Sequence, residues 1–170
     1  MRTSILAAAT VAGTIACLAA VPSSSASGVP ACGNVSLTVS ATAEQGATGH
    51  ANFVLLFRNR TSHACSLYGY PGLDALTASG HVLAHARRTL HGFTGGSRHG
   101  LQTVIVRPGR YASADVEWMN FNPGTGGSCR FSRSVAATPA NTTHTVHLSR
   151  PVSVCSLQVH PTVAGPTGTG

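Results

Sequence analysis

The chain has 170 residues, 42% of them hydrophobic and only 9% charged, so it is neither a polyelectrolyte tail nor an intrinsically disordered segment. Its 11 basic residues are all arginine and face four acidic residues, for a formal charge of +7. One apolar stretch stands at the N-terminus and no second one approaches spanning length, which excludes a polytopic helical membrane protein.

Arg2 and the apolar run from Ile5 to Val21 precede small residues at Ser24 and Ala26, the pattern of a secretory signal over residues 1–26. Cys17 raises lipid anchoring at the cell envelope as the alternative. The Thr14-Ile15-Ala16 tripeptide before it and the apolar residues after it favour free secretion. A short disordered lead, 27–31, is expected next, then one domain over 32–162 and a disordered tail over 163–170. The mature chain is expected to lack a transmembrane segment. It carries ten arginines against Glu44, Asp74, Asp115 and Glu117, about +6.

Past the signal, helix signals are nearly missing and period-two alternation recurs. Val35, Leu37 and Val39 alternate with polar residues; Asn52 to Arg58 and Leu101 to Val106 are more continuously apolar. Ala112, Ala114, Val116 and Trp118 alternate with Tyr111, Ser113, Asp115 and Glu117, which places that carboxylate pair about 7 Å apart on an exposed outer face. Phe131 with Val135, Val146 with Leu148 and Leu157 with Val159 complete eight or nine short strands, punctuated by turns such as Pro71-Gly72 and Pro108-Gly109. The fold class is all-β, a sandwich.

Four cysteines in an exported chain read as two disulfides. Cys129 and Cys155 share the inward parity of Phe131 and Leu157, from strands near in sequence. Cys32 and Cys65 meet at the open end of a hairpin made by the first two strands. The pairing is therefore Cys32–Cys65 and Cys129–Cys155.

Cys65-Ser66-Leu67, Gly69-Tyr70-Pro71-Gly72 and Asp74-Ala75 carry a resemblance. So do Arg58 to Ser62, Pro108-Gly109, the Ala112–Trp118 strand, Thr138-Pro139 and the four cysteines. On these residues the chain resembles domain of unknown function 4232, a family of exported proteins and lipoproteins of actinobacteria. The resemblance implies an immunoglobulin-like antiparallel β-sandwich and an envelope location, and no activity.

Catalytic patterns are missing. Gly95-Gly96-Ser97-Arg98-His99 departs from a nucleophile elbow at its last position, and Gly124 to Gly127 lacks the lysine of a phosphate loop. No enzyme, cofactor or resident metal is expected. His144 and His147 face opposite sides of a strand, and His81 and His85 lie about 13 Å apart. A metal site built from loop histidines such as His91 and His99 is the alternative reading. The candidate site is instead the long segment Ala86–Gly100. There Arg87, Arg88, His91, Phe93, Arg98 and His99 form a basic, partly apolar loop for an anionic envelope polymer or a protein partner. Nucleic acid is not expected, because no recognition motif is present. Length alone suggests that this loop loses entropy on binding.

Overall fold

The computed structural model describes residues 28–170. The expected signal peptide and Cys17 lie outside the described residues. Among these the chain is all-β, with no helix long and apolar enough to cross a membrane.

Alternation sets the first sheet. β1 (Leu37–Ala41) runs antiparallel to β3 (His50–Asn59), with Leu37 opposite Asn59. β2 (Gln45–Ala47) pairs with the start of β3. β3 in turn pairs along its length with β9 (Tyr111–Met119), Phe53 opposite Val116. β12 (Gln158–Val159) continues from β9 to the short parallel strand β7 (Arg87–Arg88), and β13 (Val163–Ala164) pairs with the other end of β9. A second sheet has the order β11 (Val146–Leu148), β10 (Ser134–Thr138), β5 (Gly72–Leu76), β6 (Val82–His85). β4 (Cys65–Tyr68) and β8 (Thr103–Val106) form a separate two-stranded ribbon.

The sheets share one hydrophobic core. Phe53, Leu55 and Phe57 of β3, Val116 and Trp118 of β9, Leu73 and Ala75 of β5, and Val135 and Ala137 of β10 are all buried in it. Phe53 and Trp118 meet edge-on with ring centroids 5.7 Å apart, the orientation that ring quadrupoles favour. Burying each such side chain contributes about 1.5–3 kcal/mol.

Both expected disulfides are present. Cys32–Cys65 joins the approach to β1 with β4 across a Cα separation of 4.8 Å, and Cys129–Cys155 spans 5.8 Å. The corner beyond Cys65 is structural. Gly69 has φ +92°, Pro71 is buried, and the Gly69 carbonyl accepts from Thr162 N at 2.9 Å.

Alternation describes a strand, not where its pairing begins or what lies over it. Val35 (71% exposed) and Phe131 (54%) point to solvent, because regular pairing begins only at Leu37 and Ser134. The lead is held, since Ser66 N donates to Pro30 O at 2.8 Å and Ala31 bridges to Ser66. The tail is also held. β13 lies in the sheet, Gly168 N donates to the Ser113 hydroxyl at 2.9 Å, and Gly170 N to Gly96 O at 3.3 Å. Finally, Asp115 and Glu117 are 1% and 0% exposed, not on an outer surface.

Candidate functional site: a pinned loop over a buried carboxylate pair

β9 is buried on both faces from Ala112 to Met119. One face enters the core. The other carries Ser113, Asp115 and Glu117 and is covered by the segment after β7 together with the C-terminal residues. That segment folds into a tight hairpin. His91 bridges to Gly96, Gly92 N donates to Gly95 O at 3.0 Å, and Ser97 N donates to Leu90 O at 2.8 Å.

The hairpin tip presents its backbone to Glu117. Phe93 N donates to Oε1 at 2.8 Å and Thr94 N to Oε2 at 2.7 Å, and the Gln158 side-chain amide also donates to Oε1. Successive N–H groups of a turn make a small anion-binding concavity, filled here by the protein's own carboxylate. The approach demands glycine. A Cβ on Gly92 would run into the Glu117 carboxylate, and Gly96 has φ +118° against the Leu90 carbonyl.

His160 completes the cluster. It is fully buried, its backbone N donates to Asp115 O at 2.9 Å, and its Nδ1 lies 3.0 Å from the Thr89 carbonyl. A carbonyl only accepts, so Nδ1 carries a hydrogen and Nε2 is turned toward Glu117 Oε1, 3.3 Å away. That spacing suits an ion pair, yet Nε2 is out of line for a hydrogen bond and has no hydrogen-bond partner.

The protons can be counted. Thr94 Oγ1 is 2.7 Å from both Asp115 Oδ2 and Glu117 Oε2, but a hydroxyl has one hydrogen. The second close contact calls for a proton from a carboxyl group, and of the two Asp115 is the one that burial pushes toward holding it. Burial raises its pKa above 3.8, a shift that Asn52, Thr94 and His160 oppose without reversing. Burial would raise Glu117 too, but His160, the Thr94 hydroxyl and the two backbone donors outweigh it and hold the carboxyl at about 2. Burial disfavours a charged His160, whereas Glu117, Thr89 and Asp115 favour it and raise its pKa. The three shifts run toward charge balance: a proton is favoured on Asp115 and on His160 and disfavoured on Glu117. A buried cluster needs that balance, because an unpaired interior ion costs several kcal/mol.

The expected site residues divide into three groups. His91, Phe93 and Arg98 line one concavity of 360 Å³ together with Thr169. Phe93 is 60% exposed and rests on His50 with ring centroids 4.0 Å apart. His99 lines a separate groove beside Ile105 and Thr162. Arg87 and Arg88 lie on the sheet edge in β7, where Arg87 donates to Gln158 Oε1 at 3.3 Å. His91 and His99 form no metal-ligand cluster among the described residues; the group of that composition is Asp115, Glu117 and His160. Sequence reasoning noted Asp115 and Glu117 as a pair but set it aside as exposed, and it passed over His160. The available signal was that two of only four carboxylates sit two apart on the most regular strand, while Gly92, Gly95 and Gly96 flank Phe93-Thr94.

No curated protein and no solved structure matches the chain. The profile of one family, described as a domain of unknown function (DUF4232), matches residues 32–164, from the first disulfide cysteine through β13. With most of its length so matched, the chain belongs to that family.

Proposed function

We propose that this protein is an exported, non-catalytic immunoglobulin-like module that binds an anionic polymer of the cell envelope through its arginines. One observation carries the reading: among the described residues no arginine has a carboxylate partner, because the carboxylates are spent elsewhere. Asp115 and Glu117 are buried, and Asp74 is taken by His85 Nδ1 at 2.6 Å. Only exposed Glu44 remains against ten arginines. Arg88, Arg98, Arg107 and Arg110 donate no side-chain hydrogen bond within the described chain, which leaves their planar forks free for phosphate or carboxylate.

Support for export comes from the two disulfides, which belong to chains that mature outside the reducing cytoplasm. Support for a non-catalytic role comes from the acid–base groups. The carboxylate oxygens accept from the chain's own donors, and both side chains are shielded from solvent. The loop is also ordered before any ligand arrives, pinned by Glu117. This removes much of the ordering entropy that its length alone suggests.

Sedimentation with poly(glycerol phosphate) and with poly-L-glutamate at low and high salt tests the reading. Retention at low salt, released by high salt and weakened by Arg88→Ala with Arg98→Ala, is the expected result. Failure to bind either polyanion at low salt sinks it. Turnover of a hydrolase substrate panel, abolished by Glu117→Gln, would overturn the non-catalytic part.

A further inference from the structure

We infer that Asp115, Glu117 and His160 form a buried site for a divalent transition-metal ion of the Zn²⁺ class, closed by the 89–96 hairpin. One ligand atom from each residue lies within 4.8 Å of the others, and all three side chains are buried. The independent pointer is His160. Its Nδ1 is fixed by the Thr89 carbonyl, the outer contact that orients a ligating imidazole, and its fully buried Nε2 faces the carboxylates with no hydrogen-bond partner. The 3.3 Å from Nε2 to Glu117 Oε1 matches the ligand–ligand edge of a tetrahedral ion, about 3.3–3.5 Å for bonds of roughly 2.0–2.1 Å.

The donor set selects the ion. An imidazole nitrogen with two carboxylates suits Zn²⁺ and its neighbours, whereas Ca²⁺ and Mg²⁺ require oxygen. Room on Glu117 comes from Gln158. Beyond Glu117 its side chain is held by contacts of 3.3 Å from Arg87 and 3.1 Å from Thr89, and it is the donor that must give way to an ion. Asp115 has capacity to spare, since each of its oxygens makes a single hydrogen-bond contact, with Asn52 or Thr94, and any proton it holds is released when an ion binds. An ion here joins β9 to the residue that follows β12, directly beneath the hairpin that carries Phe93.

Disulfide-intact protein is stripped with chelator and titrated with Zn²⁺ alone by calorimetry, with Mg²⁺ as control. The expected result is one equivalent of Zn²⁺, none of Mg²⁺, and binding weakened at least about 100-fold by His160→Gln. A His91→Gln, His99→Gln double variant should bind like wild type. No stoichiometric Zn²⁺ in wild type overturns the inference, as does full retention by a folded His160→Gln variant. If that variant does not fold, X-ray absorption of the Zn²⁺-loaded wild type decides. One imidazole with oxygen neighbours supports the site, and two or more imidazoles place the ion on surface histidines and refute it. Polyanion binding is scored separately on chelator-treated protein, so the two ideas fail independently.

Discussion

The corner after Cys65 and the hairpin over β9 are both irregular segments fastened to the same framework, but by opposite means. The corner is held by the Cys32–Cys65 bond, by Gly69 at positive φ and by a buried proline. Those devices are covalent or steric, and none depends on a buried charge. The hairpin is held by one carboxylate 24 residues further along the chain and by a histidine from the far end. Covalent and steric fastening does not respond to protonation; fastening by buried charge does. The corner therefore acts as scaffold, while the hairpin is the part of the molecule whose attachment conditions can change.

The largest expected effect breaks the hairpin side of this contrast. Glu117→Ala leaves two turn N–H groups and a buried imidazolium without a partner, a loss of about 3–5 kcal/mol. Hydrogen exchange should show it as deprotection of residues 89–97 and of the adjoining C-terminal residues, with β3 and β5 protected until global unfolding. Uniform deprotection would mean that the hairpin is no separate unit. The paired change Cys32→Ser with Cys65→Ser should cost about 3–4 kcal/mol in the chain-entropy account and act on the whole domain. Its denaturant midpoint should fall with no selective opening of the hairpin.

What was legible follows the same division. Turn residues, the nearness of the cysteines in sequence and the Ala112–Trp118 alternation are short-range signals. They marked β1, β3, β8 and β9 and both disulfide pairings, although Phe131, whose parity set Cys129 inward, is exposed. Alternation also assigned Asp115 and Glu117 correctly to one face of β9. It carries no information on what covers that face, and the cover comes from 89–97 and 160–170, remote in sequence and poor in apolar residues. His160 sits beside a proline near the end of the chain, with no local pattern to mark it. Burial of a polar face is a tertiary property, so a strand pattern reads it as solvent.

Acidity separates the two fastenings. Glu117 is held at about 2 against an unfolded value of 4.5, so its stabilisation, about 3 kcal/mol, is present above pH 4.5 and lost as pH falls toward 2. His160 is raised above 6.5, so its contribution is complete below pH 6.5 and lost as pH climbs through the higher folded value. Asp115, raised above 3.8, also favours the folded state more in acid. Chelator-treated protein should therefore melt highest between pH 4.5 and 6.5 and lower in mild alkali. Glu117→Gln should flatten that curve, and the double cysteine variant should keep its shape at lower temperature. A wild-type optimum above pH 8 contradicts the charge assignment.

The smallest effect tests the proton count itself. If Thr94 gives its one hydrogen to Glu117, Asp115 must hold a proton at neutral pH and donate it to the Thr94 oxygen. Infrared difference spectra of metal-free protein near pH 7 should then contain a carboxylic-acid carbonyl band that Asp115→Asn abolishes and Glu117→Gln does not. Thr94→Val removes the bridging oxygen while keeping the branched shape and both backbone donors, at a cost of about 1–2 kcal/mol. The carbonyl band should shift in frequency in that variant, because its hydrogen-bond acceptor is gone, but it should persist. Thr94→Ser, which restores a hydroxyl at the same position, should return both band and stability toward wild type. Absence of the band in wild type would mean that Asp115 is ionised beside Glu117. The hairpin would then be held over two negative charges and one positive, and its attachment should strengthen, not weaken, when the carboxylates are partly protonated.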